Sequence, residues 1–170
     1  NDIKKADILL TPLFSGQKYF RYPYLNEGID NKTRDQVRQW LKDNQYKNGY
    51  VSLDNDDYYF SFKINEAKEK GKKIDYERVK TLFIQHILSA VKFYDDLAIK
   101  TVGYSPKHII LLHEMDATVI FIRPLVEELR KQGWKLISIE DALKDKIYTE
   151  EPKNTYTNNG VIAQLAKEKT

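Results

Sequence analysis

The sequence predicts an α/β fold with parallel strands, and three observations carry that expectation. Short apolar runs of strand length alternate with longer stretches whose apolar residues recur every three or four positions. The chain has 170 residues, 41% hydrophobic and 31% charged, which is enough for one buried core and typical of a globular chain. Polar clusters directly follow three of the strand-length runs, where α/β folds gather their chemistry.

Along the chain, residues 8–13 form a short apolar piece ending near Pro12, and 19–24 read as a strand running into a turn. Asn31 or Thr33 is suited to cap a helix carrying Val37, Trp40 and Leu41, with a stop signal at Asn48-Gly49. Residues 50–53 alternate as a strand, and the lysine-rich stretch 61–76 reads as a loop. From Asp75 the spacing of Val79, Phe83, Ile87, Val91, Tyr94 and Leu97 predicts a long amphipathic helix ending before Gly103. His86 lies beside that stripe as a packed or surface histidine. Pro106 precedes a strand over 108–112, and Asp116 or Thr118 is placed to cap a helix closed by Gly133. A strand over 135–139 and a short helix over 140–144 follow. Residues 1–148 thus form the body. Residues 149–170 are a polar tail with a terminal helix from Val161 that docks against it.

Composition excludes several classes. The 28 basic and 25 acidic residues nearly balance and are interspersed, unlike a nucleic-acid-binding surface. No run reaches the roughly 18 apolar residues of a membrane span. Without cysteine there is neither a disulfide nor a thiolate metal site. Twelve tyrosines among 21 aromatic residues suit a sugar-binding surface. The chain starts at Asn1 without a signal-peptide pattern and reads as if a segment precedes it.

The three polar clusters are Arg21-Tyr22-Pro23, Asp54-Asn55-Asp56-Asp57-Tyr58 and His113-Glu114. In the second, the calcium-loop pattern fails for want of the glycine and distal glutamate. With Leu111-Leu112 before His113, these clusters resemble, in order, three motifs of the polysaccharide deacetylases (carbohydrate esterase family 4). Those motifs are Arg-x-Pro, Asp-x-x-Asp-Trp and Leu-x-His at a strand end. The passage from Gly133 to Asp141 is similar to the family's closing helix-to-strand segment, and the likeness spans roughly residues 5–145.

The resemblance implies a partial irregular (β/α) barrel and removal of acetyl groups from N- or O-acetylated sugars. It also implies a divalent metal, usually zinc, held by one aspartate and two histidines, which activates water and polarises the acetyl carbonyl. In that frame Arg21 orients a base aspartate, the Tyr22 N–H helps hold the oxyanion and Pro23 fixes the turn. Asp57 pairs with His113, the acid that protonates the leaving group. Tyr58 and Leu111 line the acetyl pocket, Tyr58 standing where the family has tryptophan.

The family's Asp-Asp and two-histidine motifs have no counterpart before Arg21. Of the three histidines, His86 lies on the long helix. His108 and His113 are about 16 Å apart on an extended strand. No complete zinc site is therefore expected in this chain, and no activity from it alone. Expected partners are an acetylated polysaccharide and a second copy or the family's missing N-terminal half, with no nucleic acid and no membrane span. Such substrates imply a secreted, envelope or periplasmic location. The alternative is a non-catalytic glycan binder using Tyr19, Tyr22, Tyr24, Tyr58 and Tyr59.

Overall fold

The computed structural model describes residues 2–13, 16–156 and 158–169. Its helices are α1 (Asp2–Leu10), α2 (Asn31–Asp43), α3 (Asp57–Glu69), α4 (Tyr76–Val102), α5 (Asp116–Lys131), α6 (Ile139–Ala142) and α7 (Gly160–Glu168). Two strands, β1 (Lys18–Phe20) and β2 (Tyr46–Asn48), pair in parallel. The result is a mixed α/β fold, rich in helix.

The core forms around α4. Asp75 caps its start by accepting from the Arg78 N–H (3.0 Å), and Gly103 ends it in the left-handed conformation, φ 85°. The stripe Phe83, Ile87, Val91, Tyr94 and Ala98 is buried against Phe121 and Leu125 of α5, Ile64 of α3, and Val161, Ile162 and Leu165 of α7. Each large apolar side chain buried this way contributes roughly 1.5–3 kcal/mol.

The strands are shorter than the apolar runs suggest. Beyond the β1–β2 register, the Gly49 N–H donates to Phe20 O (2.6 Å). A second parallel contact joins Leu53 to Ile110, where the Ser52 and Leu53 N–H groups share Ile109 O and the Leu111 N–H reaches Leu53 O. The strands expected over 50–53 and 108–112 are thus reduced to one bridge. The strand expected over 135–139 is absent: among the described residues no backbone partner pairs with 135–137, and Leu136 and Ile137 stand half exposed. An apolar run becomes a strand only where a neighbour supplies N–H and C=O groups. The parallel pairings do not join into a closed barrel.

The stretch 61–76, expected as a loop, is helical as far as Glu69, because α3 runs through it. Lysine and glutamate are good helix formers, and Lys63–Glu66 and Glu66–Lys70 pairs lace the exposed face. Residues 8–13 continue α1 into a turn of 3₁₀ helix rather than forming a separate piece. Helix α2 is capped by Asp30, whose Oδ1 accepts from the Thr33 N–H (2.8 Å). It stops at Asp43 because Gln45 turns the chain with φ 62° into β2, ahead of the Asn48-Gly49 signal. Among the described residues no helix is long and apolar enough to cross a membrane.

Candidate functional site

The site is built where three extended segments end. After β1 the chain turns through Pro23–Leu25, with Tyr24 and Leu25 in left-handed conformations (φ 54° and 52°). Non-glycine residues there store on the order of 1–3 kcal/mol of strain each, and this turn leaves the Tyr24 ring almost wholly in solvent (89% exposed). Arg21, one residue past β1, donates from Nε to Gly49 O (3.0 Å). Its guanidinium makes no ion pair among the described residues, and burial pulls its pKa below the usual value.

Asp57 opens α3, where the helix N-terminus favours negative charge. Its side chain is fully buried yet fully used. Oδ1 lies 2.6 Å from His113 Nδ1, and Oδ2 accepts from the His113 backbone N–H and the Thr118 hydroxyl, both at 2.8 Å. A carboxylate accepts only, so Nδ1 carries a proton. The Nε2 atom has no partner among the described residues.

Asn55 fixes the approach: its Oδ1 accepts from the Asp57 N–H (2.9 Å) and its Nδ2 donates to Leu111 O (2.7 Å). The acidic loop is thereby tied to the segment that carries His113. The Tyr58 ring meets the imidazole edge-on, with centroids 5.3 Å apart.

These groups border one cleft of about 730 Å³. Arg21, Tyr22, Pro23, Tyr58, Leu111 and His113 line it, and Asp57 lies buried against His113. Residues far apart in sequence therefore share one rim. Sequence reasoning assigned no role to Asp54, Asp56 and Asn158, which also line the cleft. Asp54 has its pKa pushed up, mainly by burial, with Asp56 adding and His113 opposing. Thr118, read as a cap, is instead spent on Asp57, and Met115 precedes α5 with no side-chain cap. The signal for Thr118 lay in its place one turn inside a helix that starts just after His113. Nothing local pointed to Asn158. Tyr22 is turned inward: its ring packs edge-on against Phe20 (5.1 Å), and burial, reinforced by Glu27, raises its hydroxyl pKa.

A second chain of polar groups mimics a catalytic triad. Ser52 Oγ lies 3.1 Å from His108 Nδ1, and His108 Nε2 lies 3.1 Å from Asp95 Oδ1. Ser52 is wholly buried, and its Oγ already accepts from the Ile109 N–H (2.8 Å). No substrate reaches it, so the chain is a brace between segments.

Among the described residues no three histidine, aspartate or glutamate side chains stand close enough together to hold a metal ion. The described residues do not fit the zinc site that the resemblance implies. No protein-family model matches the chain, nor does any curated protein or solved structure.

Proposed function

We propose that this chain supplies the acid and the glycan-binding wall of an enzyme that hydrolyses acetyl groups from N- or O-acetylated polysaccharide. Its scaffold would be part of an irregular (β/α) barrel of the polysaccharide deacetylase type. One observation carries the reading: Arg21, the Asp57–His113 pair and Leu111 meet at one cleft, and His113 Nε2, without a partner among the described residues, is available to substrate.

In this reading Asp57 holds the Nδ1 proton and stabilises the imidazolium formed when Nε2 also takes up a proton, and His113 then delivers that Nε2 proton to the departing amine or alcohol. The Tyr22 N–H, with no acceptor among the described residues, donates to the developing oxyanion. Arg21 offers its remaining N–H groups to a carboxylate base from outside these residues. Leu111 and Tyr58 bound the space for the acetyl methyl. The divalent metal of the complete family site would likewise need ligands that these residues do not assemble, so the 170-residue chain alone is inactive. Exposed Ile8, Leu9, Val119, Leu136 and Ile137 favour association with a second copy or with a complementary half. A secreted or envelope location follows from a polymeric substrate.

The rival reading, a glycan binder without catalysis, draws on the exposed Tyr24 ring at the rim. Acetate release from acetylated chitooligosaccharide, with zinc and with chelator, separates the two readings. The isolated chain should bind the oligosaccharide and release no acetate. A longer protein in which a segment carrying the family's Asp-Asp and two-histidine motifs is joined ahead of Asn1 should release it in a chelator-sensitive way. In that protein His113→Ala should lower kcat by about 10²–10⁴-fold, with KM little changed. Binding without release by the longer protein would leave only the rival reading. Chelator-sensitive release by the isolated chain would overturn its inactivity, and an absence of binding would overturn both readings.

A further inference from the structure

The segment after Tyr148 reaches the cleft. Arg38 Nη1 donates to Pro152 O (2.9 Å), and Arg34 Nη1 donates to Lys153 O and Asn154 O, which straps 152–154 onto α2. Asn154 is tied in turn to α7, its N–H to Glu168 (3.0 Å) and its Nδ2 to Gln164 O (2.9 Å). On the far side the Val161 N–H donates to Val51 O (2.8 Å), and Val161 and Ile162 are completely buried. Gly160 crosses so close to Val51, at φ 78°, that a Cβ there would collide with the Val51 carbonyl oxygen.

Between these two anchors Asn158 takes φ 71°, a conformation asparagine tolerates well, and lines the cleft opened by Arg21, Tyr58 and His113. Its side chain is exposed and makes no hydrogen bond among the described residues. An amide offers two donors and one acceptor, a match for sugar hydroxyls and acetamido groups. The cleft, at about 730 Å³, lies well inside the range that takes drug-sized ligands, so it has room beyond a single acetylated ring. Tyr24, on the same lining, offers a ring face for stacking.

We propose that Asn158 is a specificity-determining residue. It hydrogen-bonds the sugar next to the acetylated one, so the cleft selects an oligosaccharide over a single N-acetylated sugar. This rests on the acetylated-glycan reading of the site.

Titration calorimetry of the full 170-residue chain with N-acetylglucosamine and with its β-1,4 tetramer tests it. Asn158→Gly removes the amide and accepts the left-handed backbone without strain. It should weaken the tetramer about five- to tenfold, the range expected from one lost hydrogen bond, and leave the monosaccharide Kd unchanged. Asn158→Asp, which keeps an acceptor and the backbone preference, should fall between, and the thermal midpoints should match wild type. If Tyr58→Ala weakens the tetramer while Asn158→Gly does not, the inference falls and the acetylated-glycan reading stands. Equal weakening of both sugars would place Asn158 on the acetylated ring and overturn the selectivity. If the wild type binds neither sugar, the reading itself fails and takes the inference with it.

Discussion

Asp57 accepts three hydrogen bonds at a position with no solvent exposure, so its substitution separates organisation from charge. Asparagine keeps the shape and one acceptor oxygen. Its amide nitrogen can only donate, and the carboxylate that holds the proton on Nδ1 is lost. Nitrogen-15 spectra of the imidazole read this directly in the isolated chain, without any need for turnover. Wild type should show neutral His113 protonated at Nδ1, and Asp57→Asn should move the population toward the Nε2 tautomer. Asp57→Ala strands the His113 N–H, its ring N–H and the Thr118 hydroxyl, and should cost about 3 kcal/mol in urea denaturation. A wild-type spectrum dominated by a ring protonated only at Nε2 would overturn the assignment of the Nδ1 proton to the hydrogen bond with Asp57. Arg21, Asp57 and His113 were legible in the sequence because each follows an apolar run, and strand ends gather polar function. Thr118 and Asn158 were not: their meaning lies in contacts made 61 residues away in one case and across a folded-back segment in the other.

Among the elements, α4 was legible because a 27-residue stripe of helical period admits no other conformation that buries it. The later part of α3 was not, because from Ser61 to Glu69 only Ile64 packs into the core and the rest is largely lysine, glutamate and other polar residues, a composition shared by solvated loops. The extended segment 135–137 shows the converse: its apolar pattern is real, but strand pairing depends on a neighbour that the pattern does not encode. Helix α7 was foreseen as docking, and Gly160 explains how closely it docks. Its φ of 78° and its contact with Val51 exclude a side chain for two separate reasons, whereas Gly71 has a similar φ of 59° but open space around it. Gly71→Ala should therefore cost only the left-handed penalty, roughly 1–2 kcal/mol. Gly160→Ala should exceed it, because α7 must also move off Val51. Urea denaturation of the two variants checks this, and equal losses would show that the close approach yields at no cost.

At the scale of the molecule, the expected parallel arrangement survives as two short pairings, and side chains complete what the sheet leaves undone. The brace at His108 is the clearest case. It links Ser52 on one extended segment to Asp95 on α4, while the Tyr148 hydroxyl donates to Lys107 O (2.7 Å) and stands 3.1 Å from Ser52 Oγ. Trp134 packs edge-on against the imidazole at 5.8 Å. Burial pushes the His108 pKa below its ordinary 6.5, and the facing carboxylates of Asp95 and Asp145 offset this only in part. The folded protein thus binds this proton less readily than the unfolded chain. Stability from the neutral, buried imidazole is fully present above about pH 6.5 and is lost as pH falls through that value toward the depressed folded pKa. Unfolding free energies from urea titrations should fall between pH 7.5 and pH 5.5. His108→Gln, which retains a polar side chain but cannot take up a proton, should be less stable at pH 7.5 and show a flatter pH dependence. A variant that tracks the wild-type curve in parallel would mean that the loss toward pH 5.5 arises elsewhere and that His108 braces the fold without titrating.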